Sequence, residues 1–236
     1  MANIDPQLLA SSLRRLGAAT DHDIGAALDE AAHACVELFR VSGSGLMIAD
    51  EQNSLRYVAA SDGPSHVLEE VQSETGQGPC VEAFVRNDLV ATEDLGADPR
   101  WPAISGTLTR AGVTAVLGCP LRLGGVPVGT IDVYRDRQHR WDESERAALG
   151  RYGDVIESVL TAAMAAHRAG EIAGQLQYAL DYRVVIERAV GYLMAQRRLD
   201  SVAAFNALRR AARDQRRKIA DVARELLDTG SLEPPG

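Results

Sequence analysis

The basic residues of this 236-residue chain are concentrated near its carboxyl-terminal end. Residues 181–226 contain eleven basic and six acidic residues, which gives that segment a net charge of +5, whereas the rest of the chain carries −13. A basic segment on an acidic protein indicates an anionic partner for that segment alone. Because arginine pairs bidentately with phosphate and stacks on splayed bases, RNA is one candidate partner.

The arginines of this segment repeat at helical spacing. Arg209, Arg213 and Arg216 follow one another at intervals of four and three residues. Arg210 and Arg217 each lie within four residues of Arg213, so most of the guanidinium groups share one broad helix face. A solvated face of a dimerisation bundle has the same pattern, and composition leaves both interpretations open. The residues predicted to bind RNA are Arg183, Arg197, Arg198, Arg209, Arg210, Arg213, Arg216, Arg217 and Lys218.

No set of side chains indicates catalysis. An enzyme needs a nucleophile, a base and a stabilising group, or a set of metal ligands, at one site. The five histidines are scattered, and the sequence has no GxSxG, HExxH or P-loop motif. We therefore expect a protein that is not an enzyme, with no catalytic residues and no metal site.

Three cysteines, Cys35, Cys80 and Cys119, have neither zinc-binding nor disulfide spacing. Buried free thiols are the expected state, with a redox-sensing role for Cys80 as the alternative. Cys35 lies on the apolar face of a predicted helix and should be inert. Cys80 adjoins a loop, so Cys80 or Cys119 should be more reactive.

The segment Gly76-Gln-Gly-Pro-Cys80 is either a ligand-binding loop or a tight turn. In the second case Pro79 starts the next helix, a position that favours proline. Trp101 is likewise either a lid over the core or a side chain that stacks on a ligand. The sequence identifies no cofactor. The predicted ligand-pocket residues are Gly78, Pro79, Cys80, Asp94, Trp101 and Leu117.

Hydrophobic periodicity mixes helices and short strands in the first 140 residues. This mixture predicts an α+β fold, with helices packed on an antiparallel sheet. The predicted helices cover residues 5–16, 22–40, 65–74, 80–86 and 103–111, and the predicted strands cover residues 45–49, 55–60, 89–92, 113–121 and 126–134.

A long helix is predicted from Asp142 onward. Its apolar residues recur at alternating intervals of three and four, which is typical of a coiled-coil seam. The seam fits a helix packed on its own domain or a homodimer, and the two can coexist. Its residues are Leu149, Tyr152, Ile156, Val159, Ala163 and Ala166.

Three short amphipathic helices follow, around residues 185–193, 201–212 and 219–227, with Ser201 able to cap the second. No stretch approaches the ~20 apolar residues that span a bilayer, and the N-terminus lacks signal-peptide features. We expect a cytoplasmic location without membrane association.

The basic segment resembles the ANTAR family of RNA-binding antitermination domains over about residues 175–228. The matching residues are Arg183-Val-Val-Ile-Glu-Arg-Ala-Val-Gly-Tyr-Leu-Met194, Ala203-Ala-Phe205, Leu208-Arg209 and Ile219-Ala-Asp-Val-Ala223. Val190 stands where many members have lysine, and Ala203 stands where glutamate is usual. The resemblance implies a small three-helix bundle that binds RNA hairpins.

Residues 21–166 resemble a GAF domain of the kind that precedes ANTAR domains in actinobacteria. The resemblance implies a five- or six-stranded antiparallel sheet with flanking helices and a central pocket. Val81 stands where bilin-attaching members have histidine, so a covalent chromophore is not expected. The matching residues are Gly76-Gln-Gly-Pro-Cys80, Ala83, Asp94, Asp98-Pro-Arg-Trp-Pro102, Gly112-Val113, Pro120-Leu121 and Gly129.

Together these patterns predict an N-terminal helix (1–20), a GAF sensor domain (21–166), a linker helix with an ANTAR domain (167–228) and a disordered tail (229–236). The resemblance implies a signal-responsive antitermination regulator that senses a small molecule or a redox cue and binds RNA hairpins. A homodimer through the linker helix is also expected. The alternative is a dimeric sensor or protein-interaction module that binds no RNA.

Overall fold

The computed structural model describes residues 6–20, 24–166 and 171–232. Its five strands form one antiparallel sheet in the order β2-β1-β5-β4-β3, which confirms the predicted α+β fold. The elements are α1 (Pro6–Thr20), α2 (Ile24–Phe39), β1 (Gly43–Ala49), β2 (Leu55–Ala60), α3 (Gly63–Thr75), α4 (Pro79–Arg86), β3 (Val90–Thr92), α5 (Pro102–Arg110), β4 (Ala115–Leu123), β5 (Val126–Arg135), α6 (Glu143–Ala166), α7 (Glu171–Arg197), α8 (Ser201–Asp214) and α9 (Ile219–Thr229).

One face of the sheet is covered by α2 and α6, and α1 packs against α2. Leu46 and Ile48 of β1 and Leu117 of β4 point into this core. These residues alternate with others that point to the opposite face, as the two-residue period of a strand requires.

The predicted seam of α6 lies inside this same core. Leu149, Tyr152 and Ile156 are almost fully buried within the chain, and Val159 packs against them. Packing on the helix's own domain therefore accounts for these residues, and a dimer has to use another surface. The side chains of Ala163 and Ala166 lie outside the described part of the structure.

The opposite face of the sheet is covered by α3 and α4, with α5 packed against α3. The last three helices follow: α7 contacts β1 and β5, α8 packs on α4, and α9 packs on α7 and α8. The first half of α7 also reaches the α2 and α6 core, through Leu176 and Ala179.

We call α7, α8 and α9 the tail. In the tail, Ile186 and Leu193 of α7 pack with Phe205 and Leu208 of α8 and with Leu226 of α9. The same cluster includes residues of β1 and α4, so the tail shares one core with the domain formed by α1–α6 and the sheet, which we call the sheet domain.

Short-range contacts fix where the helices begin and end. The N-cap of α3 is Asp62, whose carboxylate accepts from the backbone N–H of Ser65. The N-cap of α8 is Asp200, whose carboxylate accepts from the backbone N–H of Ala203 at 2.8 Å. The prediction that Ser201 caps α8 was wrong by one residue, because Ser201 is already the first helical residue.

Parts of several predictions lie outside the described residues. These are the start of the predicted N-terminal helix (residues 1–5), the start of the predicted helix 22–40 (residues 22 and 23), the start of the predicted linker helix (residues 167–170) and the end of the predicted disordered tail (residues 233–236). Among the described residues, no helix is both long enough and apolar enough to cross a membrane.

Candidate functional site

A cluster of acidic groups and one thiol is buried between α3, α4 and β5. Glu69, Cys80 and Asp132 are each fully shielded from solvent. Sγ of Cys80 donates to Oδ2 of Asp132 at 3.3 Å, and Nε2 of Gln72 donates to Sγ of Cys80 at 3.1 Å. The backbone N–H of Cys80 donates to Oε1 of Gln72 at 2.8 Å, so the amide of Gln72 holds the cysteine from two sides.

The sequence makes room for this cluster in two ways. The inner face of α3 is polar, since Ser65, Glu69 and Gln72 are all buried at helical spacing. Asp132 of β5 is paired with a glycine in each neighbouring strand, Gly45 and Gly118. A Cβ atom at Gly45 would lie 1.9 Å from Oε1 of Glu69, so only glycine leaves space for that carboxylate.

Burial changes the protonation of all three groups. Removal from water raises the pKa of Glu69 well above its usual value, and the nearby Asp132 raises it further. Burial also raises the pKa of Asp132, although hydrogen bonds with Glu69 and, to a smaller extent, with Cys80 oppose the shift. The pKa of Cys80 is raised by burial first and by the two carboxylates second. In all three groups burial is the largest effect, and it disfavours a bare negative charge in this place.

The tail packs on the sheet domain next to this cluster. The rings of Phe84 in α4 and Phe205 in α8 meet edge to face, with centroids 6.1 Å apart. Nδ2 of Asn206 donates to the carbonyl of Gly76 at 3.1 Å. Gly76 has a left-handed φ of 65°, and a Cβ there would lie 2.0 Å from Nη2 of Arg209. The loop that leads to Cys80 is therefore also the surface on which α8 rests.

A second contact joins the beginning of α9 to the β1–β2 hairpin. Nζ of Lys218 pairs with Oε1 of Glu51 at 2.9 Å. The backbone N–H of Ile219 donates to the carbonyl of Glu51 at 3.4 Å. Contacts from both α8 and α9 thus hold the tail against the sheet domain.

Other arginines of the tail face solvent. Arg197 at the end of α7 and Arg210 on α8 line one shallow groove of about 460 Å³. Arg198 and Arg216 lie in the two turns between the tail helices, each with a positive φ. Within the described residues none of these four arginines forms an ion pair, so their charges are available to an anionic partner.

Comparison with known families identifies both parts of the chain. The sequence matches the ANTAR domain family over residues 174–227 and the GAF domain family over residues 21–161. The chain belongs to the GAF domain family, and an ANTAR domain follows. No curated protein matches the chain significantly.

Solved structures confirm the GAF fold at low sequence identity. A free methionine-R-sulfoxide reductase from Neisseria meningitidis is 17% identical, with a TM-score of 0.53 over 70% of this chain and 96% of that chain. The GAF domain of a phosphoenolpyruvate-protein phosphotransferase from Coxiella burnetii is 17% identical, with a TM-score of 0.52 over 67% and 96%. A GAF domain of the same kind of enzyme from Acinetobacter is 17% identical, with a TM-score of 0.51 over 70% and 100%.

The predicted pocket residues of the GAF domain do not converge on one cavity. Leu117 faces the α2 and α6 side of the sheet, whereas Cys80 faces the other side. Neighbouring strand residues point in opposite directions, so Gly118, which follows Leu117, is the residue that faces Pro79. Asp94 lies apart from both Leu117 and Cys80, in a shallow depression that it shares with Arg100.

Two of the predicted pocket residues do lie together, in a cleft between the GAF and ANTAR domains. Gly78 and Trp101 line one side of this cleft of about 340 Å³, and Val202 and Asn206 line the other. Trp101 is itself buried, and Arg100 stacks on its ring at 4.0 Å. The tryptophan therefore packs as a lid over the core.

The predicted RNA-binding residues of the ANTAR domain divide into two groups. Arg209 is only 6% exposed and lies against the GAF domain, and burial lowers its pKa. Arg183 sits over the ring of Phe84, and Lys218 pairs with the GAF domain as described above. Arg209 was predicted from helical spacing, and Arg183 and Lys218 from the basic composition of the segment; neither kind of evidence carries information about docking. In this arrangement they contact protein.

The remaining six predicted RNA-binding residues are on the outer side of the ANTAR domain. Five of them are exposed, namely Arg197, Arg198, Arg210, Arg213 and Arg216. Arg217 is half-buried and pairs with Glu225, so it stabilises the junction of α8 and α9.

The prediction of buried free thiols is confirmed, but the predicted order of reactivity is not supported. Cys35, Cys80 and Cys119 are all buried and free. Burial raises the pKa of each thiol, to about 12 for Cys119. Cys80 was predicted to be more reactive because it adjoins a loop, but it is a residue of α4 and its side chain points into the core.

We expect all three cysteines of the folded protein to resist alkylation at neutral pH, because the thiolate is the reactive species and burial suppresses it. Mass spectrometry after a timed pulse of a thiol reagent measures this, and protein unfolded in denaturant should label fully in the same time. Rapid selective labelling of Cys80 in the native protein would contradict the buried arrangement.

Proposed function

We propose that this protein is a transcription antitermination regulator that acts in the cytoplasm. Its ANTAR domain binds RNA hairpins, and its GAF domain controls that binding in response to a small molecule or a redox cue. The observation that carries the proposal is the exposed arginine surface, centred on the groove between Arg197 and Arg210, on a domain of an RNA-binding family. The guanidinium groups of these arginines can pair with RNA phosphates and stack on unpaired loop bases.

The docking contact supports control by the GAF domain. The loop between α3 and α4 touches the buried cluster through Cys80 and touches α8 through Gly76. Because protein cores are close-packed, a change in the cluster that moves this loop also moves α8. Of the two kinds of signal, the buried thiols favour a small molecule over direct oxidation of a cysteine.

The chemistry of the described residues favours a regulator over an enzyme. A catalytic cysteine needs a lowered pKa and access to substrate. Here the pKa of every cysteine is raised and every sulfur is buried. The similarity to a methionine sulfoxide reductase at 17% identity is a similarity of fold.

Filter binding of the full chain to a hairpin RNA, repeated across a salt series, tests the proposal. If the exposed arginines neutralise phosphates, the logarithm of the binding constant falls linearly with the logarithm of salt concentration, by about 0.7–0.9 per phosphate contact. An equally charged but unfolded RNA is the control. Binding without a salt slope, or no binding at all, would favour the protein-interaction alternative.

A homodimer is part of the proposal and requires a surface other than the buried seam of α6. The exposed apolar residues Val184 and Tyr192, two helical turns apart on α7, offer one. Sedimentation at micromolar concentration distinguishes a dimer from a monomer, and a purely monomeric wild type would remove this part of the proposal.

A further inference from the structure

Three groups that can ligate a metal ion meet in the core of the GAF domain. An oxygen of Glu69, an oxygen of Asp132 and Sγ of Cys80 all lie within 4.8 Å of one another. All three residues are completely buried. We propose that this cluster binds one divalent transition-metal ion of the Zn²⁺ class.

The hydrogen bonding of the cluster is incomplete in a way that a cation would complete. Both oxygens of Glu69 and Oδ1 of Asp132 are buried, and as carboxylates they accept no hydrogen bond from a described residue. A hydrogen bond between the two carboxyl groups requires that one of them keeps a proton, and a bound cation would take the place of that proton. No arginine or lysine of the described chain forms an ion pair with either carboxylate. Buried carboxylates need a partner, and one divalent cation can serve both of them together with the sulfur.

The ligand types select the kind of metal. Carboxylates alone would suit Mg²⁺ or Ca²⁺, but a cysteine sulfur favours a softer ion such as Zn²⁺. Zinc takes oxygen ligands at about 2.0–2.2 Å and thiolate at about 2.3 Å, so ligand atoms around it are roughly 3.5 Å apart. Sγ of Cys80 and Oδ2 of Asp132 are already 3.3 Å apart. The ligand atoms as a set lie within 4.8 Å of one another and would have to move closer together to reach that geometry. Three protein ligands also leave a fourth position open.

The surroundings of Cys80 fit a metal-bound thiolate. Its proton would leave to solvent when the ion binds, because a coordinating thiol is deprotonated. Nε2 of Gln72 already donates to the sulfur at 3.1 Å, and Oε1 of the same side chain holds the backbone of Cys80. Such outer hydrogen bonds orient metal ligands and compensate their charge.

Cysteine and histidine spacing predicts no metal site, and a site of the kind proposed here leaves no such spacing in the sequence. The cluster uses a single cysteine and takes its other two ligands from α3 and β5, eleven residues before it and 52 residues after it. Only the fold brings them together.

The test uses the full-length protein, stripped with a chelator and kept reduced under anaerobic conditions. Titration with Co²⁺, a spectroscopic substitute for Zn²⁺, should give one bound ion per chain and a sulfur-to-cobalt charge-transfer absorption band. Competition with Zn²⁺ should abolish the band. In Cys80→Ser the band should be absent, and in Glu69→Gln the affinity should fall at least about tenfold, the loss seen even for supporting groups of metal sites.

Two matched variants control for nonspecific effects. Cys119→Ser removes a buried thiol on the other face of the sheet, and Glu82→Gln neutralises a buried carboxylate that pairs with Arg86. Both should bind Co²⁺ like the wild type. If the wild type takes up no ion, the two carboxyl groups share a proton and the proposal is overturned. Binding that persists unchanged in both Cys80→Ser and Glu69→Gln would also overturn it. Circular dichroism of each variant verifies folding, and Asp132→Asn replaces Glu69→Gln if the latter fails to fold.

Discussion

Replacing Phe205 with alanine is expected to destabilise the protein by about 3–5 kcal/mol, the usual cost of truncating a buried aromatic residue. Phe205 is 4% exposed and lies where α7, α8 and α9 meet, and its ring also touches Phe84 of the GAF domain. The substitution removes packing from the ANTAR bundle and from the docking contact together. RNA binding should be lost because the bundle that presents the arginines no longer holds its shape. Thermal denaturation and filter binding measure the two effects.

The matched control is Phe84→Ala, which removes the same contact between the two rings by truncating the partner of Phe205. Phe84→Ala should also lower stability, because Phe84 is buried to the same degree. It leaves the contacts within the ANTAR bundle in place, so RNA binding should survive once the protein is kept below its melting temperature. Equal loss of RNA binding in both variants would mean that the ANTAR domain does not fold without the GAF surface on which it packs.

The second large effect is expected for Arg197→Ala combined with Arg210→Ala. These arginines line one groove and form no ion pair within the described residues, so their removal costs the fold little. Hydrogen bonds to charged groups contribute about 1.5–3 kcal/mol each, which predicts at least a tenfold loss of RNA affinity for the pair. The salt dependence should flatten by roughly one to two units of slope. Filter binding across a salt series measures both quantities.

A double variant on the GAF surface, Arg137→Ala with Arg140→Ala, removes the same charge from exposed side chains that make only long ion pairs of 3.9 and 3.7 Å. It should bind RNA like the wild type. A similar loss in both double variants would show that affinity follows net charge, and the groove would then have no special role. The melting temperature of both should hardly move, since exposed substitutions usually stay within about 0.5 kcal/mol.

The sequence predicts secondary structure well where local rules decide it. The hairpin of β1 and β2, the proline that begins α4 and the long helix α6 all follow from periodicity and turn residues. The predicted ends differ from the observed ones by a few residues, because caps such as Asp200 satisfy the first backbone N–H groups in ways that periodicity does not encode.

The sites are predicted less well because they depend on which surfaces meet. Arg209 and Arg210 are neighbours of the same type, yet one is buried against the GAF domain and the other faces solvent. On a helical wheel Arg209 borders the apolar stripe of Phe205, Leu208 and Ala212, whereas Arg210 lies nearly opposite it, so spacing alone distinguishes the two but does not identify the GAF domain as the partner of Arg209.

The buried cluster did leave a signal in the sequence. Glu69 lies at helical spacing among core residues of α3, and Asp132 is an acidic residue between the apolar Ile131 and Val133 of β5.

The tight contact between Gly76 and Arg209 implies that binding to the GAF domain and binding to the ANTAR domain affect each other in both directions. The carbonyl of Gly76 holds Asn206, and there is no room for a Cβ atom between Gly76 and Arg209. If RNA binding loosens this contact, the change in free energy must appear with equal size in the affinity of the GAF domain for whatever it binds, because coupling between two equilibrium sites is reciprocal. RNA would then be an effector of the sensor as much as the sensor is an effector of RNA binding. Abundant target transcripts would therefore shift the signal concentration to which the protein responds.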